Sequence, residues 1–176
     1  MASVFVTFGS NIAPEINVPR ALDLLATTVR VAEVSTVYRT APIGRPDQNP
    51  FYNGVFLIET DLDPRSLKFD LLRGIESELG RVRTADRYAP RTIDLDIALY
   101  GNLVVSEPDL YIPDPDIAAR ALLAVPLAEL APEMVLPGGS ETLAQIAEGL
   151  DRGEMVPLGE FTSLLRRRVG NEPRES

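Results

Sequence analysis

Four short apolar or β-branched runs and two segments with apolar residues at helical spacing follow one another as strand, helix, strand, strand, helix, strand. That order predicts an α+β sandwich. It is the split βαβ arrangement of a ferredoxin-like fold, an antiparallel sheet with helices packed on it, here followed by extra C-terminal helices.

The first run, Val4, Val6 and Phe8 alternating with Phe5 and Thr7, is a strand that Gly9-Ser10-Asn11 ends. Leu22, Leu25 and Val29 then place a helix over residues 16–29. Residues 30–40, with Val31, Val34, Thr36 and Val37, read as a second strand. The segment 41–49, APIGRPDQN, is a long loop, and 53–60, NGVFLIET, is a third strand. Asp63-Pro64 is a helix start, a capping carboxylate followed by proline at the first helical position. Leu67, Leu71, Ile75 and Leu79 give that helix a core face, with Leu72 beside it, and Gly80 stops it. Ile93, Leu95, Ile97 and Leu99 alternate with Thr92, Asp94, Asp96 and Ala98 in a fourth strand over 92–100. Gly101-Asn102 is read as a turn into a short partner, 103–105. Residues 118–124, 126–130 and 143–150 read as helical pieces. Beyond Leu150 the pattern fades, and RRRVGNEPRES has the polarity of a frayed tail. The expectation is one domain over 1–150 and a partly disordered C-terminal extension over 151–176.

The 176 residues carry 45% hydrophobic content, enough for one well-filled core. The absence of a basic signal-peptide head and of a long apolar run makes a cytoplasmic protein the expectation. With no cysteine and no histidine, disulfides, thiolate or imidazole metal sites, histidine bases and Ser-His-Asp triads are all excluded. Any metal must be a hard cation on oxygen ligands. A net charge of −9 argues against nucleic-acid or anionic-membrane partners.

Against that field, residues 80–91 hold Arg81, Arg83, Arg87 and Arg91 with one acid, Asp86. Such a run is commonly a solvated loop. Here it abuts a strand on which Asp94 and Asp96 share a face, their Cα atoms about 6.6 Å apart at ~3.3 Å rise per residue. Arginines that can grip an anion beside carboxylates that can hold a metal suit a magnesium–polyphosphate site.

The segment GRVR-x3-RYAPRTIDLDI, with YRT-x-PIG and QNPFYN upstream and IPDPDIAARALLAVPLAELAPE downstream, resembles the 6-hydroxymethyl-7,8-dihydropterin pyrophosphokinase family over residues 3–148. The resemblance implies an enzyme that transfers the diphosphoryl group of ATP to the hydroxymethyl group of the reduced pterin, releasing AMP, in folate biosynthesis. It implies two Mg²⁺ ions on Asp94 and Asp96, and Arg81 and Arg91 as catalytic-loop arginines. Glu76, Arg83, Tyr88, Ile97 and Arg120 fall where the family contacts ATP. Gly9, the loop Thr40, Ala41, Pro42 and Ile43, then Phe51, Asn53 and Leu122 fall where it holds the pterin. Phe51 reads equally well as a strand-end core residue. The expected partners are the two small substrates, with no nucleic acid and no membrane, and the expected state is a monomer. The 44–50 and 80–91 loops are expected to move on binding, the arginines of the second having no obvious intraprotein partners.

Four positions depart from the family's pattern, two of them mildly: Tyr88 stands where many members have tryptophan and Thr84 where some have lysine. Asp114 stands where the family usually has a histidine that contacts phosphate, and Leu122 where it usually has an aromatic ring. A carboxylate at 114 repels polyphosphate unless it faces Arg120 or a metal. These departures raise the alternative of a non-catalytic or weakened pterin- or nucleotide-binding relative. The base that deprotonates the hydroxyl is open between a metal-lowered pKa and one of the aspartates.

Overall fold

The computed structural model describes residues 1–42, 44 and 46–170. Its main sheet has six strands: β1 (Ala2–Ser10), β2 (Arg30–Val34), β3 (Tyr38–Thr40), β4 (Phe51–Thr60), β5 (Asp94–Tyr100) and β8 (Val156–Pro157). The order across the sheet is β5-β1-β4-β3-β8, with β2 also on β4, and every pairing is antiparallel. The helical elements are α1 (Pro14–Ala26), a second that runs from Ser66–Leu72 into α2 (Arg73–Glu78), then α3 (Ala121–Leu130), α4 (Leu143–Glu148) and α5 (Gly159–Gly170).

Alternation along the strands divides the core into two layers. Val4, Val6 and Phe8 of β1 meet Leu22 and Leu25 of α1 and Leu72 and Ile75 of the second helical element on one side. Phe5 meets Leu127 and Leu143 on the other. Pro64 and the Asp63 cap start the second helical element as the sequence predicts. The Asp63 carboxylate accepts from Ser66 N at 3.0 Å and Ser66 Oγ at 2.9 Å, and the backbone bond holds its pKa below the ordinary value. Over Ser66–Leu72 that element is π-helical, with Arg73 N donating to Lys68 O, before it tightens into α2.

Several expectations change. The predicted second strand is broken at Ser35–Val37 into β2 and β3, because Ser35 Oγ takes the Val55 N–H and Thr162 Oγ1 takes the Val37 N–H at 2.9 Å each. The alternation of the fourth strand does not run to its end. A register shift opposite Phe5/Val6 sets Ala98 between the partners of those residues, so Leu95 and Ile97 join one core layer and Leu99 the other. The short strand after Gly101 is β6 (Val105–Glu107), which pairs with β7 (Leu110–Ile112) as a separate ribbon. The two helical pieces 118–124 and 126–130 are one helix, α3, with Pro126 inside it. Residues 159–170 form α5, whose Leu165 is fully buried, so the fading pattern hid an amphipathic helix. Residues 171–176 lie outside the described residues.

Candidate active site

Strand register brings the predicted chemistry into line. Gly9 of β1 pairs with Asp94 of β5 on one side and Asn53 of β4 on the other, and Thr7 pairs with Asp96. Asp94 and Asn53 are therefore two strands apart, roughly 10 Å at ~4.8 Å per strand. Gly9, without a side chain, lies between them. A Cβ there would sit 2.8 Å from Asn53 Oδ1, so the glycine is what leaves the carboxamide its place. Thr40, on β3, accepts a 2.6 Å hydrogen bond from Asn53 Nδ2 and fixes that amide's direction.

Over this row lies a cleft of about 620 Å³. Its walls include Gly9, Thr40, Ala41, Phe51 and Asn53 at one end and Arg91, Asp94, Asp96, Asp114 and Arg120 at the other, with Leu122 and Tyr88 also lining it. A smaller recess of about 100 Å³ opens beside the aspartates, bounded by Lys68, Arg73, Arg83 and Leu95.

The carboxylates are held by cations. Asp94 accepts from Arg81 Nη1 at 2.9 Å and from Arg91 Nη1 at 3.0 Å, one on each oxygen. Asp96 Oδ1 accepts from Ile97 N at 2.9 Å and lies 3.2 Å from Lys68 Nζ. Both aspartates stay 43–44% exposed. Two carboxylates facing open space, with no nitrogen or sulfur ligand in the chain, suit magnesium, which takes few protein oxygens and fills its shell with phosphate and water. Among the described residues no group of three or more potential ligands is assembled, so a metal here would take the rest of its shell from water or phosphate oxygens.

Glu76 changes its expected place. It is 2% exposed and lines neither the cleft nor the recess. Its carboxylate accepts from Arg81 Nη1, from Arg83 Nη2 at 2.5 Å and from Leu95 N at 2.9 Å. The side chain is consumed inside the protein and anchors the arginine loop to β5; it is not open to a nucleotide. Arg81 and Arg83 thus have intraprotein partners, contrary to expectation, and Arg91 adds the carbonyl of Arg87 at 2.5 Å. The Ile97 side chain is buried in the core and its N–H is taken by Asp96, which leaves its side chain out of the cleft. Pro42 does not line the cleft, and Ile43 lies outside the described residues.

Two loops meet over the site. Asn11, 1% exposed, donates to Gln48 Oε1 at 3.1 Å and accepts from Arg91 N at 2.8 Å, while its own N–H bonds Arg91 O at 3.1 Å. Gln48 Nε2 donates to the Tyr88 carbonyl at 2.8 Å. Gly44, at φ +79°, lets the backbone approach Tyr88, whose ring carbon would be 2.9 Å from any Cβ there.

Asp114 lines the cleft with Asp96, Asp116 and Arg120. Burial, then the Asp96 and Asp116 charges, push its pKa above the ordinary carboxylate value; the Asp116 N–H at 2.9 Å and Arg120 only partly offset them. Sequence reading missed Lys68, Arg73 and Asp116 as site residues, while Arg87, which it placed in the anion-gripping loop, lines the cleft. Only for Lys68 was there a signal, since Lys68 and Glu76 flank Leu72 at four-residue spacing on a row beside the apolar stripe.

Comparison with known proteins fixes the class, that of the pyrophosphokinases of folate synthesis. Residues 5–132 match the family described as "7,8-dihydro-6-hydroxymethylpterin-pyrophosphokinase (HPPK)". The chain is 41% identical over 156 residues to the 2-amino-4-hydroxy-6-hydroxymethyldihydropteridine pyrophosphokinase of Pseudomonas aeruginosa, covering 85% of this chain and 95% of that one. It is 35% identical over 162 residues to the enzyme of that name from Haemophilus influenzae, covering 90% and 99%. The chain belongs to the 7,8-dihydro-6-hydroxymethylpterin pyrophosphokinase family. Among solved structures it is similar to an HPPK-DHPS in complex with substrates, at TM-score 0.64 and 14% identity, covering 84% of this chain and 43% of that one. A Plasmodium falciparum HPPK-DHPS gives TM-score 0.58 at 13% identity, again with 84% and 43% covered. This chain spans less than half of either, and these two likenesses concern the fold alone.

Proposed function

We propose that this chain transfers the β,γ-diphosphoryl group of ATP to the hydroxymethyl oxygen of 6-hydroxymethyl-7,8-dihydropterin, giving the pterin diphosphate and AMP. The observation that carries the reading is the row Asp94–Gly9–Asn53, which sets a carboxylate suited to a metal–phosphate complex and a carboxamide suited to a pterin edge across one glycine. Asn53 offers a donor and an acceptor to the pyrimidinone edge, and Phe51 and Leu122 offer apolar faces to the ring. Arg91, Arg120 and Tyr88 line the phosphate end, and Arg83 the recess, as nucleotide contacts; Arg81 orients Asp94.

Asp94 and Asp96 would hold two magnesium ions, whose chemistry when bound is to neutralise the triphosphate and favour the in-line displacement. The chain's own part is positioning: the hydroxymethyl oxygen releases its proton and forms a bond to the β-phosphorus, the bond from that phosphorus to the α,β-bridging oxygen breaks, and AMP leaves with that oxygen. The sheet order β5-β1-β4-β3 supports reading residues 2–100 as a ferredoxin-like split βαβ unit, and residues 1–150 as one domain on which 151–170 pack. Cytoplasmic location and a monomeric state complete the proposal. Among the described residues no helix is long and apolar enough to cross a membrane. No observation favours the binding-only alternative.

The test is AMP formation from ATP and the hydroxymethyl-dihydropterin with Mg²⁺. Asp94→Asn and Asp96→Asn are each expected to lower turnover by about 10³-fold or more, the scale of losing preorganised charge at the transition state, with the circular dichroism spectrum unchanged. Pterin- and Mg²⁺-independent AMP, or a near wild-type rate in either variant, overturns it.

A further inference from the structure

Asp94 and Asp96 are matched by three basic groups: Arg81, Arg91 and Lys68. The three differ in how firmly they are held. Arg81 is also paired with Glu76, and its side chain is 10% exposed. Arg91 is also bonded to the carbonyls of Ala89 and Arg87. Lys68 has Asp96 as its sole ion-pair partner among the described residues. Their separation is 3.2 Å, longer than the ~2.7–2.9 Å usual for an ammonium–carboxylate hydrogen bond.

The setting of Lys68 is built. Its side chain is 18% exposed and lies against the recess that Arg73 and Arg83 also line. Arg65 and Arg73 lie 4.9 and 4.5 Å from the centroid of the Phe69 ring and the Lys68 ammonium 5.7 Å from it, and Arg65 is further tied to Glu107 and Asp109. Arg65 is thus fixed by two carboxylates, whereas the Lys68 ammonium has one carboxylate and a more distant ring contact. The residue stands on the π-helical stretch Ser66–Leu72, an arrangement frequent at functional sites. Finally, Lys68 is the single lysine beside 16 arginines. A compact ammonium on a four-carbon stem can exchange partners, whereas a guanidinium fork is suited to stay bidentate.

We infer that Lys68 is a ligand of the nucleotide's phosphates: Asp96 holds it near the recess in the free protein, and it moves to a phosphate oxygen when the metal-bound nucleotide occupies the aspartates. This rests on the nucleotide site proposed above. A divalent cation on Asp96 removes the attraction that holds the ammonium, and a polyphosphate beside it supplies a stronger one.

The chain has two amines, Lys68 and the N-terminus, so reductive methylation with ¹³C-formaldehyde gives two dimethylamine signals, which Lys68→Arg assigns. On titration with Mg²⁺ and α,β-methylene-ATP the Lys68 signal is expected to shift while the N-terminal one stays. By calorimetry, Lys68→Met is expected to weaken binding of the same Mg²⁺–nucleotide about ten- to hundredfold, the range of one hydrogen bond to a charged group. An unmoved Lys68 signal under measured nucleotide binding, or Lys68→Met affinity within about threefold of wild type or tighter, overturns the inference; tightening would mean that Lys68 only competes with the metal. Failure of the wild-type protein to bind the nucleotide at all overturns the proposed site, and the inference with it.

Discussion

Replacing Glu76 by alanine is the severest test of how the arginine loop is held. The substitution removes an acceptor from Arg81, from Arg83 and from the Leu95 N–H, in a position 2% exposed. Removing one partner of a buried ion pair costs about 3–5 kcal/mol, because the other charge is left without compensation. The Arg83 side chain is about half exposed, so solvent screens that contact and the cost falls mainly on Arg81, 10% exposed. At about 2–4 °C per kcal/mol for a chain of this size, the melting temperature should fall by roughly 6–20 °C. Thermal unfolding followed by circular dichroism measures it. The double variant Glu76→Ala/Arg81→Ala should lose less than the sum of the two single changes by at least about 0.5 kcal/mol, the mark of a direct pair. A fall under about 3 °C, or strict additivity, would refute the anchoring role.

Two further outcomes follow from the cleft. Gly9→Ala places a Cβ against Asn53 Oδ1 and should raise the KM for the pterin about tenfold or more, with the KM for ATP within about twofold; equal effects on both would show that Gly9 acts on the whole sheet edge. Asp114 has its pKa raised in the folded protein, so its stabilising share is complete below the ordinary Asp value near ~3.9 and is lost as pH rises through the raised one. Asp114→Asn should therefore melt higher than wild type at pH 7, with the gap closing below about pH 4; an equal or lower melting point at pH 7 contradicts this.

What the chain disclosed by itself was what depends on local pattern. The Asp63 cap, the Leu67–Leu79 stripe and the shared face of Asp94 and Asp96 follow from neighbours in sequence, and the structure has them. What stayed hidden depends on partners far along the chain. The break at Ser35–Val37 needs Val55 and Thr162, and the register shift at Ala98 needs the pairing with β1. Of the site residues inferred from resemblance, Gly9, Phe51, Asn53, Arg91, Asp94, Asp96, Arg120 and Leu122 converge on one cleft. Glu76 does not, because its carboxylate, on the row beside the apolar stripe, is drawn inward to the buried Arg81 and the Leu95 N–H, with Arg83 closing over it. Lys68 escaped notice because its partner, Asp96, lies 28 positions away on another element, and its four-residue spacing from Leu72 and Glu76 says nothing of that partner.

The most direct measurement is ³¹P NMR of the products from ATP and 6-hydroxymethyl-7,8-dihydropterin with Mg²⁺. Diphosphoryl transfer predicts AMP and a pterin diphosphate in equal amounts, without ADP. ADP with a pterin monophosphate, or ATP hydrolysis without any phosphorylated pterin, would contradict the account.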